Sequence, residues 1–587
     1  MRTSCIALAL FLAQPSWAGM VKSQKALAKV PAKSPHSESK TSRFVKTPPC
    51  KTASAPKPPA PANEVIKPAA SDPDHDRIAR LHEALDGIVH GKVLGHLRVG
   101  MRVEELASGR VLYGLRSSAL MDPASNQKVL GTSAALLRLG SDYRYRTEVT
   151  GVPPDGAGIV TGDLVIRGSG DPSLRAHHID ALAESLAKQG MTRVSGEILG
   201  DPRRIGSEEL EQGGRSPLRV GSSSIEVHVR PGDKVGSRPT VSIRPASDAF
   251  VIVNQAETRA KGKGRLNVEI ERAGHRFQVV VSGKISTARG EVVIRRAPPS
   301  APFFAAFLLR QALIQAGIDV RGGAGIYVGE GRSRVSSRPS IEGAMVAFAA
   351  QGSDSPPPIA EPGSTRSAEL LALHESDPLV LLLRRVNKDS DNEWAERVLE
   401  TVGAEVLGGA PTTAKGVRVL RDALAELGLP AAAYIPTNGS GLGHQNRITA
   451  AGMAELLRRI YFDPRIGPEL MQSLSVGGVD GTTRNRFRGS SAAHRVRAKT
   501  GTLNGVSCLS GYVGDGSEVL VFSILVEGHR KRAVTNIRSA QVSAVNAMMR
   551  FARKAEGPLS DEESIPSTDL ESGDEAEESE GTVLESR

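Results

Sequence analysis

Residues 121–130 read MDPASNQKVL, and the relation between Ser125 and Lys128 inside this stretch decides the fold. If Pro123 and Ala124 lead into a helix, Ser125 and Lys128 stand at i and i+3 on one face of its first turn. Ser125 is then either an ordinary helix cap with a solvated lysine nearby, or a nucleophile with its base one turn away. A helix N-terminus favours negative charge, such as that developing on an alkoxide. A lysine whose ammonium is disfavoured by burial and neighbouring positive charge can accept a serine proton. Taken alone, S-x-x-K is common by chance and favours the cap.

Two distant stretches reverse that balance. KDSDNEWAE (388–396) holds Ser390-Asp391-Asn392 between two segments of helical periodicity. RAKTGTLNG (497–505) holds Lys499-Thr500-Gly501 at the end of an alternating, strand-like run. S-x-x-K, S-D-N and K-T-G in this order mark the acyl-serine enzymes that include penicillin-binding proteins and serine β-lactamases. Each motif is weak by itself. The ordered set, each member in a fitting local context, is a strong signal.

The likeness extends beyond the motifs. ASGRVLYGLRSSALMDPASNQKVLGTSAALLRLG (107–140), GDLVIRGSGDPSL (162–174), VNKDSDNEWAE (386–396), NGSGLG (438–443) and AKTGTLNGVSCLSGYVG (498–514) resemble the low-molecular-mass class C (type 4) penicillin-binding proteins. Those are D-Ala-D-Ala carboxypeptidases and endopeptidases, and the resemblance runs over roughly residues 77–553. Members carry a large insert between the first two motifs. Here Ser125 and Ser390 are 265 positions apart, more than a β-lactamase has.

The resemblance implies roles for matching residues. Ser125 is the nucleophile and Lys128 its base. Ser390 relays a proton toward the leaving D-Ala amine, and Asn392 bonds the substrate backbone. Lys499 supplies positive potential where the terminal carboxylate lies, and Thr500 helps hold that carboxylate. Gly501 leaves room for substrate along the strand. The backbone N–H groups of Ser125 and Thr502 form the oxyanion hole. No metal or organic cofactor is implied. Peptidoglycan stem peptides are the implied substrates, and β-lactam antibiotics the implied covalent inhibitors. A β-lactamase-type hydrolase, or a non-catalytic wall-binding or regulatory protein on the same fold, are the alternatives.

Two departures concern substrate recognition. GDPRRIGSEELEQGGRSPLRVG (200–221) stands where relatives carry an aromatic-rich stretch, and NGSGLGHQN (438–446) has Gly443-His444 where a serine and a basic or polar residue are usual. His444 is expected on a loop near the site.

Pattern along the chain divides its 587 residues. Residues 1–18 read as a secretory signal, with Arg2, the apolar run IALALFLA and Ser16-Trp17-Ala18 before the cleavage point. Residues 19–76 form a basic, Pro-rich linker. Residues 77–147 and 361–553 form one α+β catalytic domain of the penicillin-binding-protein and β-lactamase type, an antiparallel sheet with helices. Residues 148–360 are an inserted strand-rich domain, and 554–587 an acidic tail without the composition of a core.

From Ala555 onward there are twelve acids and one base, a net −11, so the +11 of the whole chain leaves +22 on the rest. A basic exported body suits an anionic cell envelope. Nucleic acid is excluded, because the bases are scattered and no zinc-finger spacing or aromatic-basic platform accompanies them. No run approaches the roughly 18 apolar residues of a membrane span, and contact with the membrane is otherwise not legible. With three cysteines, one inside the signal, the fold does not rest on disulfides. The pair His177-His178 has no further ligand at metal spacing and reads as surface. Cys508 alternates with apolar neighbours and reads as buried.

Overall fold

The computed structural model describes residues 73–329 and 367–554, except 208–215, 222–224, 245–249, 261, 263, 274–275, 298–299, 517 and 531–532. The proposed signal, nearly all of the linker with Cys50, residues 330–366 and the acidic tail beyond Lys554 lie outside them.

A six-stranded sheet carries the catalytic half. Its spatial order is Ser475–Val476, Val496–Leu503, Val506–Asp515, Glu518–Glu527, Arg98–Glu105, Val111–Leu115, and every neighbouring pair is antiparallel. The first hairpin turns through Gly109, whose φ of +73° needs a residue without Cβ. EVLVFSILVE (518–527) is apolar almost throughout because both faces of this central strand are covered. On one face Leu81 and Leu85 of the His75–Val89 helix and Val545 and Met548 of the Val534–Ala552 helix pack against Met101, Phe522 and Ile524. On the other, helices Gln127–Leu139, Asn392–Leu407 and Ala450–Phe462 bring Leu130, Leu399 and Met453 onto Cys508, Tyr512 and Val521. The first and last thirds of the chain thus meet in one sheet, the mixed α+β layering expected.

The insert has a core of its own, built from Leu164, Ile166, Ile198, Val227, Phe277, Phe303 and Leu309 among others. The insert is rich in strands, and it also holds the helices Ala176–Lys188 and Ala301–Gln315. One boundary differs. Strand Glu369–Glu375 pairs antiparallel with Arg146–Gly151, His374 opposite Thr147, and so belongs to the insert's five-stranded sheet. The chain therefore leaves the catalytic unit near Arg146 and re-enters it near Ser376, not at 361. The sequence hides this strand because Leu370 and Leu373 face solvent and a bulge between Leu370 and Ala372 breaks its alternation. A helix at Thr413–Glu426, capped by the Thr412 side chain, is a further element that the pattern reading did not single out.

Candidate active site

The turn that carries Ser125 is not an ordinary helix start. Ala124–Asn126 form one 3-10 turn before the helix proper begins at Gln127, and no side chain caps it. Ala124 holds φ at +43°, a left-handed conformation uncommon for alanine. Three contacts impose it. Asp122 Oδ1 accepts from the Ala124 N–H at 2.8 Å. Asn126 Nδ2, fully buried, donates to Ser510 Oγ on the sheet at 2.8 Å. Gly441 presses so close that a Cβ there would stand 1.9 Å from the Ala124 carbonyl oxygen.

Lys128 is fully buried, not solvated. Its ammonium donates to Ser125 Oγ at 2.9 Å, Asn392 Oδ1 at 2.6 Å and the Ser440 carbonyl at 2.7 Å. One nitrogen thus joins the first motif, the second motif and the Asn438–Gly443 loop. The loop is held in turn by Glu396, one helical turn beyond Asn392, which accepts from the Gly439 and Ser440 N–H groups at 3.0 and 2.9 Å. Glu396 and the Ser440 carbonyl were not legible as site groups. The i, i+4 spacing from Asn392 was the available clue for Glu396.

Ser390 sits at φ +62°, again left-handed, just before the Asn392–Leu407 helix that Asp391 caps through Trp394 N at 3.1 Å. Lys499 reaches it from the sheet. Its ammonium, also fully buried, donates to Ser390 Oγ at 2.8 Å and to the Thr500 carbonyl at 3.0 Å. Thr500 Oγ1 donates to Thr482 Oγ1 at 2.8 Å, and Thr502 Oγ1 accepts from Arg538 Nη2 at 3.4 Å. Thr482 and Arg538 carried no sequence signal.

Gly501 also lies close against the turn that carries Ser125. A Cβ there would lie 2.7 Å from the Pro123 carbonyl oxygen and 3.1 Å from both Ala124 Cβ and Ser125 N. Absence of the side chain lets the strand lie against the Ser125 turn.

His444 Nδ1 lies 2.8 Å from Asp122 Oδ2, so the histidine in the departing loop contacts the carboxylate that holds the turn. Cys508 is buried, its thiol donating to the Asp122 carbonyl at 3.3 Å, and burial pushes its pKa up. His178, expected at the surface, is half-buried and stacks on His374 with centroids 4.2 Å apart, while His177 is exposed. A cavity of about 510 Å³ opens beside Asn392 and Ser440 and reaches Arg219, Glu393 and Arg397.

A buried lysine on a serine, a second serine–lysine pair and a strand alongside are the groups that serine acyl-transfer chemistry calls for. The crystal structure of penicillin binding protein 4 (DacB) from Haemophilus influenzae, complexed with a β-lactam, shares the fold. It superposes with a TM-score of 0.59 at 20% identity, over 80% of this chain and 98% of that one. A D-alanyl-D-alanine carboxypeptidase from Actinomadura sp. (strain R39) is 30% identical over 495 residues, 81% of this chain and 86% of its own length. D-alanyl-D-alanine carboxypeptidase DacB of H. influenzae is 23% identical over 450 residues, 73% of this chain and 85% of its own length. The model of the D-Ala-D-Ala carboxypeptidase 3 (S13) family matches residues 81–335 and 345–548. The chain belongs to that family and is a peptidase.

Proposed function

We propose that this chain is an exported serine-type D-Ala-D-Ala carboxypeptidase, with endopeptidase action on the same bond type, that works on peptidoglycan stem peptides through an acyl-enzyme on Ser125. The observation that carries this reading is the fully buried Lys128 Nζ 2.9 Å from Ser125 Oγ. Neutral Lys128 takes the Ser125 proton as Oγ attacks the carbonyl of the penultimate D-Ala. The N–H groups of Ser125 and Thr502 receive the oxyanion. On collapse the D-Ala–D-Ala C–N bond breaks. Ser390, backed by Lys499, passes a proton to the leaving amine. Water then cleaves the ester, its proton returning through the same groups, and Ser125 is restored. Asn392 orients the acyl part, whose stem extends toward the adjoining cavity.

A β-lactam presents its ring amide to the same serine, and ring opening leaves no separate amine to depart. The leader-like residues 1–18 and the basic body support export to an anionic envelope. A penicillin-labelling gel tests the reading. A stable covalent adduct on Ser125, with D-Ala released from D-Ala-D-Ala peptides, is expected. Rapid release of the adduct would point to a β-lactamase, and no adduct to a binding protein.

A further inference from the structure

The carboxylate that ends a D-Ala-D-Ala peptide needs a cation, and the two site lysines are turned elsewhere. Lys128 faces Ser125 and Asn392, and Lys499 faces Ser390. Side chains alternate along a strand. Lys499 and Gly501 therefore face the nucleophile turn, while Thr500 and Thr502 share the opposite face, on the side of the Val534–Ala552 helix.

That helix places Arg538 there. Its Nη2 donates to Thr502 Oγ1 at 3.4 Å, a long contact that leaves capacity for a better acceptor, and its buried Nε has no hydrogen-bond partner among the described residues. Arg486 stands behind it. Its Nη1 donates to Gln541 Oε1 at 3.5 Å, and Gln541 Nε2 donates to the Ser507 carbonyl at 3.2 Å, opposite Thr502 in the ladder. Among the described residues no carboxylate forms an ion pair with either arginine. Burial pushes both guanidinium pKa values down, and Arg538 adds to the effect on Arg486. A guanidinium nevertheless keeps its proton near neutral pH. Two half-buried like charges without a counter-ion are a costly arrangement that an arriving anion relieves.

We propose that Arg538, backed by Arg486, is the residue that reads the terminal carboxylate of the substrate, in a subsite completed by the hydroxyls of Thr500 and Thr502. The assignment rests on the serine-peptidase reading above. Thr500 and Thr502 lie two residues apart, about 6.6 Å along the strand. One carboxylate between their hydroxyls accepts from both, the Thr482 hydroxyl turning to donate to Thr500, and Arg538 meets it from the same side as a charge-assisted pair. The subsite selects leaving groups that carry a carboxylate next to the cleaved bond, and it discriminates against amides and esters of the same shape.

The test uses the full-length protein and two thioesters of one acylated D-Ala. One has mercaptoacetate as leaving group, and the other has its methyl ester. Thiol release gives kcat/KM for each, and the ratio of the two is the readout. Arg538→Gln should lower that ratio by about tenfold or more, the scale of one charge-assisted hydrogen bond, and Arg538→Lys should restore part of it. Arg486→Gln should move it in the same direction by less. The neutral thioester reports whether each variant is folded and competent. An unchanged ratio in Arg538→Gln, with both substrates slowed equally or neither slowed, would overturn the subsite while leaving the peptidase reading intact. Wild-type protein that releases no thiol and takes no covalent penicillin would overturn the peptidase reading itself, and the subsite with it.

Discussion

Lys499 and Ser390, 109 positions apart in the chain, are joined by a 2.8 Å hydrogen bond from the buried ammonium to the hydroxyl. The bond ties the edge of the sheet to the start of the Asn392–Leu407 helix. It also directs the lysine charge toward Ser390 and away from the strand face that carries Thr500 and Thr502. Lys499→Gln should therefore slow acylated substrates with and without a terminal carboxylate to a similar degree. The expected loss is about 10- to 150-fold in kcat/KM, the range of one hydrogen bond to a charged group. A loss confined to the carboxylate-bearing substrate would show that Lys499 contacts that group directly.

Ser125→Ala should abolish D-Ala release and covalent penicillin labelling together. The fold should survive, because Lys128 keeps Asn392 and the Ser440 carbonyl as acceptors. Labelling by gel and thermal unfolding of the same preparation check both halves. A variant that still labels would assign the nucleophile elsewhere.

Gly501→Ala tests the packing of strand on turn. The added methyl meets the Pro123 carbonyl and the Ala124–Ser125 backbone, so either the strand or the turn must shift. Overpacking of this kind destabilises by about 1–3 kcal/mol. A displacement near 1 Å at the nucleophile lowers acylation on the order of 100-fold. Stability from denaturant unfolding and the rate of penicillin acylation should both fall. Normal acylation in a destabilised variant would mean that the strand yields and the turn does not.

The histidine stack at the base of the insert predicts a pH effect on stability. Burial, then His374, His177 and Arg175, lower the His178 pKa to about 4. Burial also lowers that of His374. An unfolded histidine titrates near 6.5. Between about 6.5 and 4 the unfolded chain binds more protons than the folded one, so stability rises with pH there and is lost on acidification. Asp171 acts in the opposite sense, since burial raises its pKa and its protonated form favours the fold at low pH. Thermal unfolding across pH 4–7 should show the fall on acidification, and His178→Gln should flatten it. An identical slope in the variant would remove His178 as its source.

Much of this protein was written locally. The three motifs are short, ordered strings, so Ser125, Lys128, Ser390, Asn392, Lys499 and Thr500 could be named as candidates before any fold was known, and the fold brings them together. Strands such as 276–286 and helices such as 301–315 announced themselves through period and turn residues. Tertiary structure alone decided what depends on distant pairing. Strand Glu369–Glu375 is recognisable only through its partner Arg146–Gly151, because its own pattern is broken by a bulge. The reason for Gly501 lies in the Pro123 carbonyl, and the Ala124 conformation in Asp122 and Gly441. Arg538 looks like any basic residue in the first turns of a helix until the fold sets it beside Thr502, with no carboxylate paired to it among the described residues. Motif chemistry is carried by residue type and spacing, which a sequence records. Strain, counter-charge and close approach are carried by contacts between segments hundreds of residues apart, which only the folded chain creates.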